Sequence, residues 1–135
     1  MSDRYEMDID VRFRDLDTMG QVHNAVVLIY VEEARVGYFR DVLGVELTET
    51  DGAIVKQTIE YSAPIERDSS VTIEYWTAEI GTSTLTMGFE VRTGGEPAAT
   101  GEVVHVVLDG DTPHPVPDGW RERIRAFEDE PVETE

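Results

Sequence analysis

Between Arg14 and Ala25 the chain reads RDLDTMGQVHNA, and most of the side chains able to do chemistry lie in this stretch. Asp15 and Asp17 flank Leu16, Gly20 follows, and His23 and Asn24 stand just before an apolar run. A turn that passes straight into a helix places a carboxylate beside backbone N–H groups that have no intrahelical partner and that stabilise negative charge. Such a pairing suits acyl transfer: the helix end polarises a carbonyl, while the carboxylate attacks it or activates water. Aspartates are ionised near neutrality, so neither role requires a raised pKa. The plainer alternative is that Asp17 caps the turn and Asp15 pairs with Arg12 or Arg14. Spacing alone leaves both readings open.

His23 offers a general base, but a lone histidine in a turn is a weak signal. His105 falls inside a strand and His114 beside prolines, so neither is an obvious partner. Asp17 and His23 make half a metal site without a third ligand, and no metal is expected. Ser62, Ser69, Ser70 and Ser83 lack the glycine-flanked elbow that exposes a nucleophilic serine. The sequence has no phosphate loop or dinucleotide fingerprint. It has no cysteine, which excludes thiolate nucleophiles, disulfides and thiolate metal sites.

The elements that must hold this turn are legible in the hydropathy pattern. Tyr5, Met7, Ile9, Val11 and Phe13 alternate with charged residues, predicting a half-buried strand up to the turn. The run AVVLIYVEEARVGYFRDVL, from Ala25 to Leu43, predicts one long helix. Val27, Tyr30, Val31, Ala34 and Tyr38 recur on one face, and Val26, Ile29, Phe39 and Val42 widen the apolar arc until Gly44 ends it. Four more strands are expected: Ala53 to Tyr61, with Val55, Ile59 and Tyr61 on one face; Val71 to Glu79; Leu85 to Val91; and roughly Thr100 to Leu108, with valines on both faces. Thr93-Gly94-Gly95-Glu96 is a hairpin signal. After prolines at 113, 115 and 117, a short helix is predicted from Asp118 to Glu128, anchored by Trp120, Ile124 and Phe127. One domain over 1–128 with an acidic, frayed tail at 129–135 follows, α+β in class and antiparallel in topology. One helix cannot cover both faces of five strands, so a second subunit is expected to cover part of the sheet.

The 135 residues contain 29 Asp and Glu against 11 Lys and Arg, a formal net charge of -18, and Lys56 is the single lysine. Such a surface repels nucleic acid and anionic membranes. Salt screens its self-repulsion, as in the cytoplasmic proteins of halophiles and in particular of a halophilic archaeon. The first ten residues are acidic and do not read as a signal peptide, and the longest apolar run, Ala25 to Val31, is far too short to span a membrane. A cytoplasmic location is expected.

The stretch RFRDLDTMGQVHNAVVLIYVEEAR resembles the signature region of hotdog-fold acyl-CoA thioesterases of the 4-hydroxybenzoyl-CoA thioesterase type. The resemblance rests on Asp15, Asp17, Gly20, Val22, Asn24, Glu33, Ala34 and Arg35, and extends more weakly over the first 127 residues. It implies a hotdog fold: a five-stranded antiparallel sheet wrapped around one long central helix, with a short C-terminal helix. It also implies hydrolysis of an acyl-CoA thioester to free acid and coenzyme A, with no cofactor other than the coenzyme A of the substrate.

In residue terms, Asp17 matches the catalytic carboxylate, nucleophile or general base, with His23 and Asn24 beside it. The backbone around His23, Asn24 and Ala25 matches the carbonyl-polarising region. Gln21, Val27 and Val31 are candidates for the substrate pocket. Arg67, Ser83 and Arg92 are candidates for coenzyme A binding, and Glu33 and Arg35 for structure or subunit contacts. Relatives are dimers, or tetramers built as dimers of dimers, with the pantetheine arm threaded between subunits. The chain departs from the pattern at Gln21, where many relatives have histidine, at His23 in place of an asparagine, at Val27 in place of a tyrosine, and at Thr82 where a basic residue is common. Two other functions remain: hydrolysis of a thioester on acyl carrier protein, and a non-catalytic acyl-CoA-binding hotdog protein.

Overall fold

The computed structural model describes residues 4–67, 69–128 and 131–133. Five main strands form an antiparallel sheet in the order β1-β3-β4-β5-β2. They are β1 (Tyr5–Ile9), β2 (Gly52–Tyr61), β3 (Val71–Ile80), β4 (Thr84–Thr93) and β5 (Glu96–Asp109). The long helix α1 (Asn24–Tyr38) lies against them and continues as a π-helical turn, Phe39–Leu43, before Gly44 ends it with φ of 73°. A two-residue strand β6 (Thr112–Pro113) pairs with β5, and α2 (Asp118–Phe127) follows. This is the hotdog architecture that the resemblance implies, and the antiparallel sheet around one helix that the alternation and the apolar run predict.

The core follows from the two periodicities. Val71, Ile73 and Tyr75 of β3 and Leu85, Met87, Phe89 and Val91 of β4 alternate inward and are buried. Val27, Tyr30, Val31, Ala34 and Tyr38 of α1 meet them along one helical face. The Gly94-Gly95 turn between β4 and β5 has positive φ at both residues, which suits the tight hairpin expected there. At Gly37 a Cβ would run into the Tyr5 hydroxyl and the Met7 methyl, so a residue without a side chain lets α1 lie close on β1.

Three expectations change in detail. The first strand stops at Ile9, short of Phe13, because the Asp15 carboxylate accepts the Arg12 amide over 2.9 Å and draws residues 13–15 into a 3-10 turn. Phe13 is left 80% exposed. In β2, a bulge between Ile54 and Lys56 breaks the alternation, so Val55 does not share a buried face with Ile59, and both Val55 and Tyr61 are exposed. The apolar arc of α1 is not fully covered within this chain, since Ile29 remains exposed. β5 lies between β4 and β2, as its valine-rich faces suggested.

α2 closes one end of the molecule. Ile124 is buried, Trp120 meets Phe39 edge-on at 5.7 Å, and Phe127 meets Tyr38 at 6.2 Å. Glu128, the next residue, accepts the Tyr38 hydroxyl at 2.6 Å and the Thr77 amide at 2.7 Å, where β3 bulges around Ala78. Of the tail expected to fray, residues 129–130 and 134–135 lie outside the described residues. Val132–Glu133 form a short strand, β7, parallel to Glu79–Ile80 of β3.

Candidate active site

The turn after β1 folds back on itself around Asp17. The Asp17 amide donates to the Gln21 carbonyl over 2.7 Å, and the Gly20 amide to the Asp17 carbonyl over 3.1 Å. Gly20 occupies the left-handed region with φ of 77°, a conformation that strains other residues. Asp17 Oδ1 accepts the amides of Met19 at 2.8 Å and Gln21 at 3.0 Å. Turn capping therefore uses one carboxylate oxygen, and among the described residues no donor reaches the other.

Asp15 has a different task. Its Oδ2 accepts the Tyr30 hydroxyl at 2.6 Å and the Arg12 amide, and its carbonyl accepts the His23 amide at 3.0 Å. Burial alone would raise the pKa of this carboxyl. The two hydrogen bonds, with the charges of Arg12 and Arg14 nearby, outweigh that effect and hold it below the usual carboxylate value. Asp15 thus clamps the turn to α1.

A half-open cleft of about 510 Å³ runs past this turn. Asp17, Gln21, His23, Asn24 and Ala25 line one side, and Val27 lies on its wall. Opposite stand Tyr61 at the end of β2 and the small side chains of Ala98 and Ala99 on β5. The Tyr61 hydroxyl donates to the Asn24 carbonyl at 2.7 Å and so bridges the sheet edge to the start of the helix. The amides of Val26 and Val27 already bond to the His23 carbonyl, and the His23 amide is committed to Asp15. Of the three backbone groups expected to polarise a carbonyl, those of Asn24 and Ala25 remain available among the described residues. Asp17, Asn24 and Ala25 line the same cavity, so a carbonyl bound there shares it with both the carboxylate and these donors.

The other candidates divide. Gln21 lines the cleft and its side-chain amide donates to Glu66 at 3.3 Å, whereas Val31 is buried in the core and does not line the cleft. Arg67 follows Glu66, whose backbone bridges Gln21, and so lies beside the turn. Arg92 is held by Glu74 and Glu90, each at 2.7 Å, and does not line the cleft. Ser83 sits between β3 and β4, eight residues along the sheet from the level of Val91 and Ala99, roughly 26 Å away. Arg35 is buried, bonded to Glu32 at 2.9 Å and to His105 Nδ1 at 3.0 Å, while Glu33 is exposed. Arginine only donates, so His105 Nδ1 accepts and the neutral ring carries its proton on Nε2, which is buried without a partner among the described residues. Tyr61, Ala98 and Ala99 are site residues that local spacing did not single out.

Among the described residues, no three His, Asp or Glu side chains group so as to hold a metal ion, and no helix is long and apolar enough to cross a membrane.

Known proteins resemble the chain in sequence and fold. The chain is 41% identical to a thioesterase of Thermus thermophilus crystallised with coenzyme A and zinc, with a TM-score of 0.87, covering 94% of this chain and 96% of that one. It is 31% identical over 106 residues to the uncharacterized protein YsmA of Bacillus subtilis, covering 77% of this chain and 72% of that protein. A Staphylococcus aureus protein in complex with CoA shares the fold at 13% identity, with a TM-score of 0.85, covering 94% of this chain and 85% of that one. Residues 11–124, which contain the turn, α1 and strands β2 to β6, match the Thioesterase-like superfamily, and the chain belongs to that family.

Proposed function

We propose that the protein is an acyl-CoA thioesterase, which hydrolyses RC(O)–S–CoA to the free acid and coenzyme A with Asp17 as the reacting carboxylate. The observation that carries this reading is the cleft that Asp17 lines together with Asn24 and Ala25, whose helix-start amides have no acceptor among the described residues. Those amides stabilise the oxyanion that develops when the thioester carbonyl is attacked. Two routes fit the geometry. As general base, Asp17 takes a proton from water as its oxygen bonds to the carbonyl carbon; the C–S bond then breaks and the thiolate leaves with a proton. As nucleophile, Asp17 bonds to the carbonyl carbon and expels the thiolate, and water then cleaves the resulting anhydride.

Support for coenzyme A as the carrier comes from the family and from the coenzyme A bound to the Thermus thermophilus relative. His23 and Asn24 contribute from the cleft wall, and Gln21 and Val27 shape the acyl pocket. The exposed edge of β2, with Val55 and Tyr61, and the exposed Ile29 of α1 support assembly with a second copy, as a dimer or a dimer of dimers. The acidic surface supports a cytoplasmic setting of high salt. A carrier-protein thioester is the second reading, disfavoured because two strongly acidic proteins repel each other.

The deciding experiment is thiol release from short, long and aryl acyl-CoAs in molar potassium chloride, with Asp17→Asn as control. Turnover lost in D17N upholds the assignment, and normal turnover in D17N refutes it. In a single turnover in 18O-water the general-base route puts the label in the acid, whereas an anhydride opened at the Asp17 carbonyl puts it in Asp17 and leaves the acid unlabelled.

A further inference from the structure

Tyr61 is the last residue of β2 and stands opposite Ala99 of β5. The two residues after it stay on the sheet: the amides of Ser62 and Ala63 both donate to the Ala98 carbonyl, at 2.8 and 3.2 Å. The ring is thus carried by pinned backbone, and its hydroxyl donates to the Asn24 carbonyl at 2.7 Å. At 41% exposure the ring could give that hydroxyl to water, yet the bond runs to the start of α1. Desolvation lifts the Tyr61 pKa above the usual tyrosine value, so the hydroxyl stays a donor throughout the neutral range.

The acceptor gives this bond its meaning. The Asn24 carbonyl and the Ala25 N–H belong to one planar trans peptide unit and point to opposite sides of it. In the first turn of a helix such N–H groups point back out of its N-terminal end. The Ala25 amide has no acceptor among the described residues, and Ala25 lines the cleft together with Asp17 and Tyr61. A donor on the oxygen of a peptide draws charge towards that oxygen and makes the N–H of the same unit a stronger donor. It also holds the peptide plane, so the N–H keeps its direction while charge develops on a bound carbonyl.

We infer that Tyr61 is a positioning residue of the thioesterase site: by donating to the Asn24 carbonyl it orients and polarises the peptide unit whose Ala25 N–H stabilises the oxyanion. The inference rests on the proposed thioesterase function. It brings a polar group from the end of β2 to a site otherwise built from one continuous stretch, residues 15–25. The effect is on charge at the carbonyl and not on the shape of the pocket. Tyr61 therefore acts alike on every acyl group and sets no preference among them.

The test is Tyr61→Phe, which keeps the ring and removes the donor. The ring is partly exposed, so Y61F should fold and assemble as the parent does, which thermal melting and size-exclusion chromatography check. On each acyl-CoA that the parent hydrolyses, kcat should fall by about tenfold, with KM changed by less than about twofold. A residue that merely tied β2 to α1 would leave the bound carbonyl alone. Infrared difference spectra of a 13C=O acyl-CoA bound to D17N and to D17N/Y61F read that carbonyl directly. Its stretch should lie below the solution frequency in D17N and move back towards it in D17N/Y61F.

An unchanged kcat, a loss expressed only in KM, or an unmoved stretch overturns the role of Tyr61. An inactive D17N beside a fully active Y61F does so while leaving the thioesterase reading intact. If the parent hydrolyses no ester, that reading fails, and the NMR signal of the Ala25 amide proton in the free protein decides. An upfield move in Y61F upholds the polarising contact, provided that the Val27 amide, bonded to the His23 carbonyl, does not move with it. An unmoved Ala25 signal, or a joint move of both, overturns it.

Discussion

Asp17 and Gln21 hold each other twice: the Gln21 carbonyl accepts the Asp17 amide at 2.7 Å, and the Gln21 amide donates to Asp17 Oδ1 at 3.0 Å. The carboxylate is thereby fixed by the turn it belongs to, without help from a neighbouring side chain. A fixed carboxylate beside helix-end amides needs little rearrangement as charge builds on a bound carbonyl. Structural and chemical roles of Asp17 can be separated. Asp17→Asn keeps an oxygen that accepts both amides, so its melting temperature should stay within a few degrees of the parent while turnover falls by several orders of magnitude. Asp17→Ala should lose turnover and about 1 kcal/mol or more of stability. Thermal melts of the two variants side by side check this.

Tyr30 and Asp15 form the second restraint on the turn. Tyr30→Phe removes a buried hydroxyl donor and should cost about 1–2 kcal/mol near neutral pH. The folded-state pKa of Asp15 is depressed, so its contribution is present above the unfolded carboxylate value and is lost as pH falls through the lower folded value. The gap between parent and Y30F should therefore shrink below about pH 4, where the unfolded carboxyl takes up its proton. Urea denaturation of both proteins at neutral and acidic pH measures the gap.

His105 predicts a pH effect of its own. Burial, with the Arg35 charge beside the ring, pushes its pKa down to about 4. Unfolding restores a value near 6.5, so between about pH 6.5 and 4 the unfolded chain binds the proton and the folded one does not. Stability is then lost as pH falls through that window, by up to about 3 kcal/mol from this group. His105→Gln keeps an acceptor for Arg35 but does not titrate. Its stability should decline less than the parent's over the same range, and a parallel decline would show that His105 is not the source.

The excess of carboxylates makes a prediction that needs no knowledge of origin. Like charges across an acidic surface destabilise the compact state until counterions screen them. The melting temperature should rise from dilute buffer to molar potassium chloride, and an uncharged osmolyte of equal osmolarity should reproduce only part of the rise. A melting temperature independent of salt would count against a salt-adapted surface.

The sequence carries the architecture because the architecture is written in short repeats. Tyr75 and Phe89 alternate with polar neighbours, and Val27, Val31 and Ala34 recur on a helical period, so each segment declares its own form. The cleft is harder to read. Asp17 and the helix start are adjacent in the chain and were legible together. Tyr61, Ala98 and Ala99 reach them only through the pairing of β2 with β5, where Tyr61 lies opposite Ala99. The same limit applies to the bulge at Val55, which shows only in the register of β2 on β5, and to the Arg35–His105 contact, which joins residues 70 positions apart. Ser83 and Arg67 look equally plausible as ligands of the coenzyme until the sheet register separates them.

Glu128 has a consequence for the order of events in synthesis. It joins the Tyr38 hydroxyl to the Thr77 amide, and so ties the central helix to the bulge in β3 from a point well after both have been made. Before Glu128 is in place, the buried Tyr38 hydroxyl has the Thr77 hydroxyl at 2.8 Å as a partner, but not the carboxylate. Domains made from the N-terminus forward can begin to collapse during translation. Here the carboxylate that joins Tyr38 to the Thr77 amide is made last, so the end of α2 completes the packing of α1 on β3 and does not start it.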